Sequence, residues 1–322
     1  MTNANLLDRA LDGAVLPGYT NLGYRLRRRG WGDTELERMD DRVALVTGAT
    51  SGLGLAAAGA LARLGAGVRL LARDAERGEQ ARERVIERSG DADVEVVLCD
   101  LSDLGDIRRF AAAFSARESR LDVLVNNAGV LPAERTVTAD GLELAFATNV
   151  AGPFLLTKLL LDLLRSSAPS RMVNVSSGGM YTQRLHVDDL QMERERYDGT
   201  VAYARTKRAE VVLTELWARR LEGSGVVVHA MHPGWADTPG VRASLPRFHR
   251  LTRPLLRTPE QGADTIVWLA AAAEPARSTG GFWHDRRRRP THRLPWTRES
   301  AAEREALWAA CERLTSSEGD TT

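Results

Sequence analysis

The chain has 322 residues, 43% of them hydrophobic, with 44 basic against 43 acidic side chains and a net charge of +1. This length and apolar content fit one large domain with terminal extensions, and the balanced charge gives no case for a nucleic-acid partner. Two cysteines, Cys99 and Cys311, are too few for a secreted disulfide framework, and the first residues, MTNANLLDRALDG, lack the features of a signal peptide, so a cytoplasmic location is expected.

Residues 1–40 form an N-terminal extension in which Arg25, Arg27, Arg28 and Arg29 lie near Tyr19, Tyr24 and Trp31. From residue 43 short aliphatic runs alternate with helix-period stretches. Strands are expected at 43–47, 68–72, 94–99, 123–126, 172–175, 226–232 and 281–283. The helices between them are expected at 53–64, 74–88, 103–119, 141–166, 203–222 and 260–273. Strands that are apolar at nearly every position are buried on both faces, which calls for a parallel sheet covered by helices. The expected fold is α/β: a doubly wound, mostly parallel seven-stranded sheet in a single domain, residues 41–284. A long connection, 178–202, reads as a substrate loop, and 285–322 as a C-terminal extension that opens with Arg286–289. Both arginine runs read as solvated charge in preference to a membrane-surface contact, since no long amphipathic helix accompanies them.

The first strand runs into Thr47-Gly48-Ala49-Thr50-Ser51-Gly52-Leu53-Gly54 and then a helix. Glycines at a strand-to-helix turn let the backbone approach a pyrophosphate, which the helix N-terminus attracts. The second strand ends Ala72-Arg73-Asp74, with no acid at the position that usually grips an NAD ribose. The guanidinium of Arg73 suits a 2′-phosphate, so NADP(H) is favoured over NAD(H), although Asp74 can pair with Arg73 or cap the next helix. Only two lysines occur, Lys158 and Lys207, and the second stands four residues after Tyr203. That spacing puts phenol and ammonium on one helix face, where the cation favours the phenolate and suits the tyrosine to general acid–base work. Ser176 and Ser177 follow the fifth strand, and strand alternation lets only one of them face the cleft. Pro153, four residues after Asn149, removes the helical partner of the Asn149 carbonyl, giving a kink or a freed acceptor.

Together these pieces resemble the short-chain dehydrogenase/reductase family: TGATSGLG at 47–54, Asp100, NNAG at 126–129, Asn149, the serine pair, Tyr203 with Lys207, and HPGWADT at 232–238 stand in family order. The resemblance implies an oxidoreductase that interconverts an alcohol and a carbonyl with a nicotinamide cofactor. It implies a catalytic tetrad of Asn149, Ser177, Tyr203 and Lys207. It implies cofactor contacts from Gly48, Thr50, Ser51, Gly52, Leu53, Gly54, Arg73, Asp100, Leu101, Asn127, Ala128, Gly129, Tyr203 and Lys207, with Pro233, Gly234 and Thr238 at the nicotinamide end. The runs NVSSGGM, DLQMERE, YDGT and MHPGWADTPGV resemble more closely the SDR family member 12 group, near the retinol dehydrogenase-like reductases. Tyr203 lies 26 residues after Ser177, a longer gap than is usual in the family, and Met180, Tyr181, Leu185 and Trp235 make an apolar pocket for a lipophilic small molecule plausible. The aliphatic stripes of 141–166 and 203–222 cover the sheet or build a homo-oligomer interface. The competing function is a non-catalytic dinucleotide-binding sensor or scaffold.

Overall fold

A computed structural model describes residues 3–31, 36–90 and 92–316, so the ends of both extensions lie outside it. Eight strands form one sheet: β1 Val43–Thr47, β2 Gly67–Ala72, β3 Val94–Leu98, β4 Val123–Asn126, β5 Ser170–Val175, β6 Val226–Met231, β7 Gly281–His284 and β8 Arg287–Arg289. Their spatial order is β3-β2-β1-β4-β5-β6-β7-β8. All neighbours pair in parallel except β7 and β8. The chain reverses direction of winding between β1 and β4, which leaves a crevice beyond their carboxyl ends, the place where such folds bind ligands.

The extra strand corrects the count of seven. Arg287 and Arg288 are exposed and Arg289 is buried, in an edge strand that pairs only with β7. An arginine run carries no apolar signal, so its pairing was invisible to a hydrophobicity reading.

Each side of the sheet carries its own core. One packs the helices Leu104–Arg117, Gly152–Leu159, Gly199–Arg220 and Ala301–Thr315 through Phe110, Phe154, Leu156, Leu216 and Trp308. The other packs Gly52–Arg63 and Pro259–Ala271 through Leu61, Ile266 and Trp268. Leu156, Leu160, Leu213 and Leu216 are buried within the chain. The C-terminal helix Ala301–Thr315 lies on the helix Gly199–Arg220, where Trp308 meets Trp217 edge-on at 4.6 Å and Arg220 covers its ring at 3.8 Å.

The expected helix 141–166 is broken. It begins at Leu144, with Glu143 accepting the amides of Ala145 and Phe146 at 2.8 and 2.7 Å, and passes through a π-helical turn, Ala147–Ala151, before Pro153. In that turn the Gly152 amide reaches back five residues to Ala147. A proline that cannot donate and a widened turn before it have one cause, and such turns gather at functional sites.

Nor are the extensions loose. Tyr19, just before the helix Asn21–Arg28, accepts the Trp235 amide of the loop after β6 at 2.8 Å, and Arg27 is buried. Arg25, Arg28 and Arg29 are exposed, as the solvated reading requires, whereas Arg27 and Arg289 enter a buried ionic network. Among the described residues no helix is long and apolar enough to cross a membrane.

Candidate active site

The glycine turn after β1 fits a dinucleotide phosphate on two observations. Gly48 has φ +63°, and a β-carbon on Gly54 would stand 2.4 Å from the Gly48 carbonyl oxygen and 2.5 Å from Asn127 Nδ2. Asn127 holds this turn by donating to the carbonyls of Thr47 and Gly48 at 2.9 and 3.3 Å, while its own amide and that of Ala128 donate to the Thr47 hydroxyl, each at 2.9 Å. The helix Gly52–Arg63 then starts with no side-chain cap, Ser51 being exposed and unused, so its first amides are free for an anion. Thr50 and Leu53 are half-buried, Leu53 against the Gly262 backbone. Substituting Gly54 with alanine is expected to weaken nicotinamide-dinucleotide binding about 100-fold, since the added methyl displaces the cradle; fluorescence titration giving an unchanged Kd would remove the cradle from the account.

At the ribose end, Asp74 settles its own ambiguity. It caps the helix Ala75–Ser89 by accepting the Arg77 amide at 2.8 Å. Arg73 is exposed and, among the described residues, has no ion-pair partner. Asp100 accepts the amide and hydroxyl of Ser102 at 2.9 and 2.7 Å, and Leu101 is buried behind it.

The four candidate catalytic residues come from four segments around the ends of β4 and β5. Asn149, fully buried in the π turn, accepts from the Val130 amide at 2.8 Å through Oδ1. Its Nδ2 donates to the Val130 carbonyl and to Thr206 Oγ1, both at 3.0 Å. Tyr203 stands in the second turn of the helix Gly199–Arg220, which Asp198 caps through the amides of Thr200 and Val201; the helix therefore begins a turn before the expected start. Lys207 Nζ lies 5.4 Å from the Tyr203 ring centre. Gly129 is the spacer between them and the asparagine: a β-carbon there would sit 3.3 Å from Lys207 Nζ and 3.4 Å from Asn149 Oδ1.

The serine ambiguity is resolved by hydrogen bonding. Ser176 is buried and spends its hydroxyl on the Lys207 carbonyl at 2.8 Å. Ser177 is half-exposed, accepting only a 3.2 Å bond from the Gly179 amide as it begins the 3₁₀ turn Gly178–Thr182. Ser177 is thus the serine available to a ligand.

After β6, Thr238 sits over the glycine turn, its Cβ 3.3 Å from where a Gly52 β-carbon would be. Gly234, φ +75°, backs onto the Arg257 guanidinium and the Tyr19 carbonyl, and Arg257 also grips the Pro233 carbonyl at 3.2 Å. The helices Pro239–Ser244 and Pro246–Thr252 continue as a flap, tied across the cleft by Ser244 donating to the Leu131 carbonyl at 3.1 Å. Phe248 on this flap meets Trp235 edge-on at 5.2 Å.

Part of the expected apolar pocket is instead core. Met180, Tyr181 and Leu185 are 0%, 6% and 3% exposed, and the Tyr181 hydroxyl donates to the Pro290 carbonyl at 2.7 Å. Of the four named residues only Trp235 remains partly open. Nor did sequence reading find Glu210. Its Oε1 accepts from Lys207 Nζ at 2.6 Å, and the same ammonium donates to the Val175 carbonyl at 2.9 Å. Burial opposes the charge on Lys207, but Glu210 and Tyr203 overrule it and hold the ammonium above its ordinary pKa. Burial pushes the Glu210 carboxyl up to about 7 against the pull of that lysine. The available signal was an acid three residues after the lysine, inside an otherwise apolar helical stretch.

A family model described as short chain dehydrogenase matches residues 42–247. Dehydrogenase/reductase SDR family member 12 of Bos taurus is 43% identical over 300 residues, 92% of this chain and 93% of the relative. Human retinol dehydrogenase 11 is 43% identical over 241 residues, 74% of this chain and 75% of its own. Among solved structures, a Pseudomonas aeruginosa RhlG/NADP active-site complex superposes with a TM-score of 0.63 at 29% identity, covering 76% of this chain and 94% of that one. By model, relatives and fold alike, the chain belongs to the short-chain dehydrogenase/reductase family of oxidoreductases, on its retinol dehydrogenase-like side.

Proposed function

We propose that the protein is an NADP(H)-dependent alcohol dehydrogenase/carbonyl reductase acting on a lipophilic small molecule, with Tyr203 as its acid–base group. The observation that carries this reading is the buried Lys207 ammonium 5.4 Å from the ring of a half-exposed tyrosine, beside the glycine cradle. When bound, the nicotinamide supplies or accepts the hydride. Tyr203 gives its phenolic proton to the carbonyl oxygen in reduction and takes it back in oxidation, with the Lys207 ammonium beside the ring to attract the charge that develops there. Ser177 donates to the same oxygen as charge develops there. Asn149, clamped to Val130 and Thr206, fixes the floor of the site.

Gly48, Thr50, Ser51, Gly52, Leu53 and Gly54 would hold the pyrophosphate, Asp100 and Leu101 the adenine side, Asn127, Ala128 and Gly129 the ribose side, and Lys207 the nicotinamide ribose. Pro233, Gly234 and Thr238 would close on the nicotinamide. Arg73, exposed beside an Asp74 that is spent on capping the next helix, favours the 2′-phosphate. The NADP-bound relative supports the same choice. Replacing Arg73 with alanine is expected to raise KM for NADPH about 10- to 100-fold while leaving NADH nearly unchanged. Equal effects on both cofactors would reverse the preference.

Support for a lipophilic substrate comes from Trp235 and Phe248 on the flap and from a relative named retinol dehydrogenase. The direct test is NADPH oxidation over retinoids, steroids, aliphatic aldehydes and polyols. Turnover confined to the polyols would overturn the substrate class. A cytoplasmic enzyme belongs to the same proposal, since Cys99 and Cys311 are both buried, free thiols, as in a reducing compartment. The C-terminal helix covers the helix Gly199–Arg220 within one chain, so oligomerisation through that covered face is not part of the proposal.

A further inference from the structure

We propose that Glu210 is a positioning residue for catalysis: it is the counter-ion that keeps the buried Lys207 charged and aimed at Tyr203 at neutral and alkaline pH. The inference rests on the acid–base reading of Tyr203.

Lys207 is 3% exposed, and its ammonium has two protein acceptors, the Val175 carbonyl at 2.9 Å and Glu210 Oε1 at 2.6 Å. A carbonyl contributes a dipole; only Glu210 contributes a full charge. An ammonium taken out of water without a counter-charge sheds its proton, and buried lysines lose several pKa units that way. A neutral amine neither attracts the negative charge that develops on the tyrosine oxygen nor holds a fixed orientation. The helix backbone that carries Glu210 is held in turn. One turn on, Thr214 donates to the main-chain carbonyl of Glu210 at 2.7 Å and accepts from Asn174 Nδ2 at 2.8 Å. Asn174 accepts from Asn126 at 2.9 Å, so a buried polar ladder ties this stretch of helix to β5 and β4. Among the described residues the second carboxylate oxygen, Oε2, is buried with no hydrogen-bond partner, so Lys207 is the one side chain that the carboxylate engages there.

The charges acting on the pair are each other and Tyr203. Titratable groups on the neighbouring elements are engaged elsewhere. On β6, His229 bonds the Pro275 carbonyl, and on β5 Arg171 bonds those of Leu269 and Ala272. Tyr181 in the 3₁₀ turn bonds Pro290, and Glu143 before the π turn accepts from Tyr197. On β7, His284 faces the His232 carbonyl, and in the C-terminal helix Arg304 and Glu305 pair with Glu215 and Arg220. With burial holding the Glu210 carboxyl up at about 7 against the pull of Lys207, the counter-ion is present above that value and lost below it.

Because the chain has two lysines and Lys158 is exposed, protein labelled with ¹³Cε-lysine gives two resolvable signals. In the wild type the Lys207 signal should show a small step near pH 7, as Glu210 ionises, and no deprotonation into the alkaline range. In Glu210→Gln the step should vanish and Lys207 should deprotonate about 2 units lower or more. The ratio of wild-type to E210Q kcat should be close to 1 at pH 6 and rise about tenfold or more by pH 9. A ratio constant with pH means a packing role and overturns the proposal, as does an unchanged lysine titration. If E210Q does not fold, the wild-type titration decides: a Lys207 that deprotonates below the ordinary lysine value has no working counter-ion, and the proposal falls. Tyr203→Phe separates the two claims: full activity in that variant sinks the acid–base reading whatever the lysine signals do.

Discussion

Replacing Tyr203 with phenylalanine is expected to lower kcat/KM by about 10²- to 10⁴-fold, the usual span of a positioned acid–base group, while leaving the Kd for NADPH within about twofold. The substitution keeps the ring that lies 5.4 Å from the Lys207 ammonium and removes only the hydroxyl. Packing of the helix Gly199–Arg220 is therefore preserved, and what is lost is the proton. Because the phenol acts only when the substrate oxygen gains or loses charge, the loss should fall on kcat with little change in substrate KM. Isothermal titration with NADPH and steady-state kinetics on the same preparation measure both quantities. The rival reading, a dinucleotide-binding sensor, predicts that the variant is indistinguishable from the wild type in every property. An active Y203F enzyme with unaltered kcat would leave the fold and the cofactor cradle standing and remove the mechanism.

What the sequence made legible follows from how local each interaction is. Parallel strands buried on both faces write their burial into consecutive residues, and the runs at β1, β2, β4 and β6 were read to within a residue or two at each end. The glycine turn and the Tyr203–Lys207 pair are equally local, one loop and one helical turn. Interactions between distant residues left no such trace. Arg27 meets Asp285 across 258 positions, and Arg208, fully buried beside Lys207, is tied to Glu299 and to the carbonyls of Thr291 and Thr297. Arg27 reads as surface charge in the sequence and nothing local marks Arg208, because only its partner makes each a core residue. The same reasoning explains the pocket error. Met180, Tyr181 and Leu185 are apolar whether they line a cavity or fill a core, and only the docking of residue 290 against Tyr181 decides between the two.

That ionic core is the setting for the largest expected loss of stability, at Asp285. The β7–β8 hairpin turns on Asp285 and Arg286, with φ of +51° and +55°, a two-residue turn that usually takes asparagine or aspartate with glycine. Asp285 is 1% exposed and takes Arg257 at 2.5 and 2.8 Å and Arg27 at 2.7 Å. Arg257 in turn donates to the carbonyls of Gly18, Tyr19, Thr20 and Pro233, so one carboxylate anchors the N-terminal segment, the hairpin and the loop that backs the cleft. Removing it leaves the buried Arg257 without its counter-charge and Arg27 with Asp8 alone, a loss of about 3–5 kcal/mol. Asp285→Gly isolates that electrostatic part, because glycine accepts the left-handed turn freely; Asp285→Ala should cost about 1 kcal/mol more, for the methyl at positive φ. The pH dependence has a defined sign. Burial raises the Asp285 carboxyl, but Arg257 and Arg27 outweigh it and hold it below its ordinary value. A depressed acid contributes stability that is complete above the unfolded value of about 3.9 and is lost as pH falls through the folded one. Urea midpoints for wild type and D285G should therefore differ by a constant amount from pH 5 to 8 and converge only in acid, below about pH 4. Coincident midpoints at pH 7 would mean that the arginines find water or other partners when the carboxylate goes. The N-terminal segment would then be a passenger on the fold, with no part in holding the cleft.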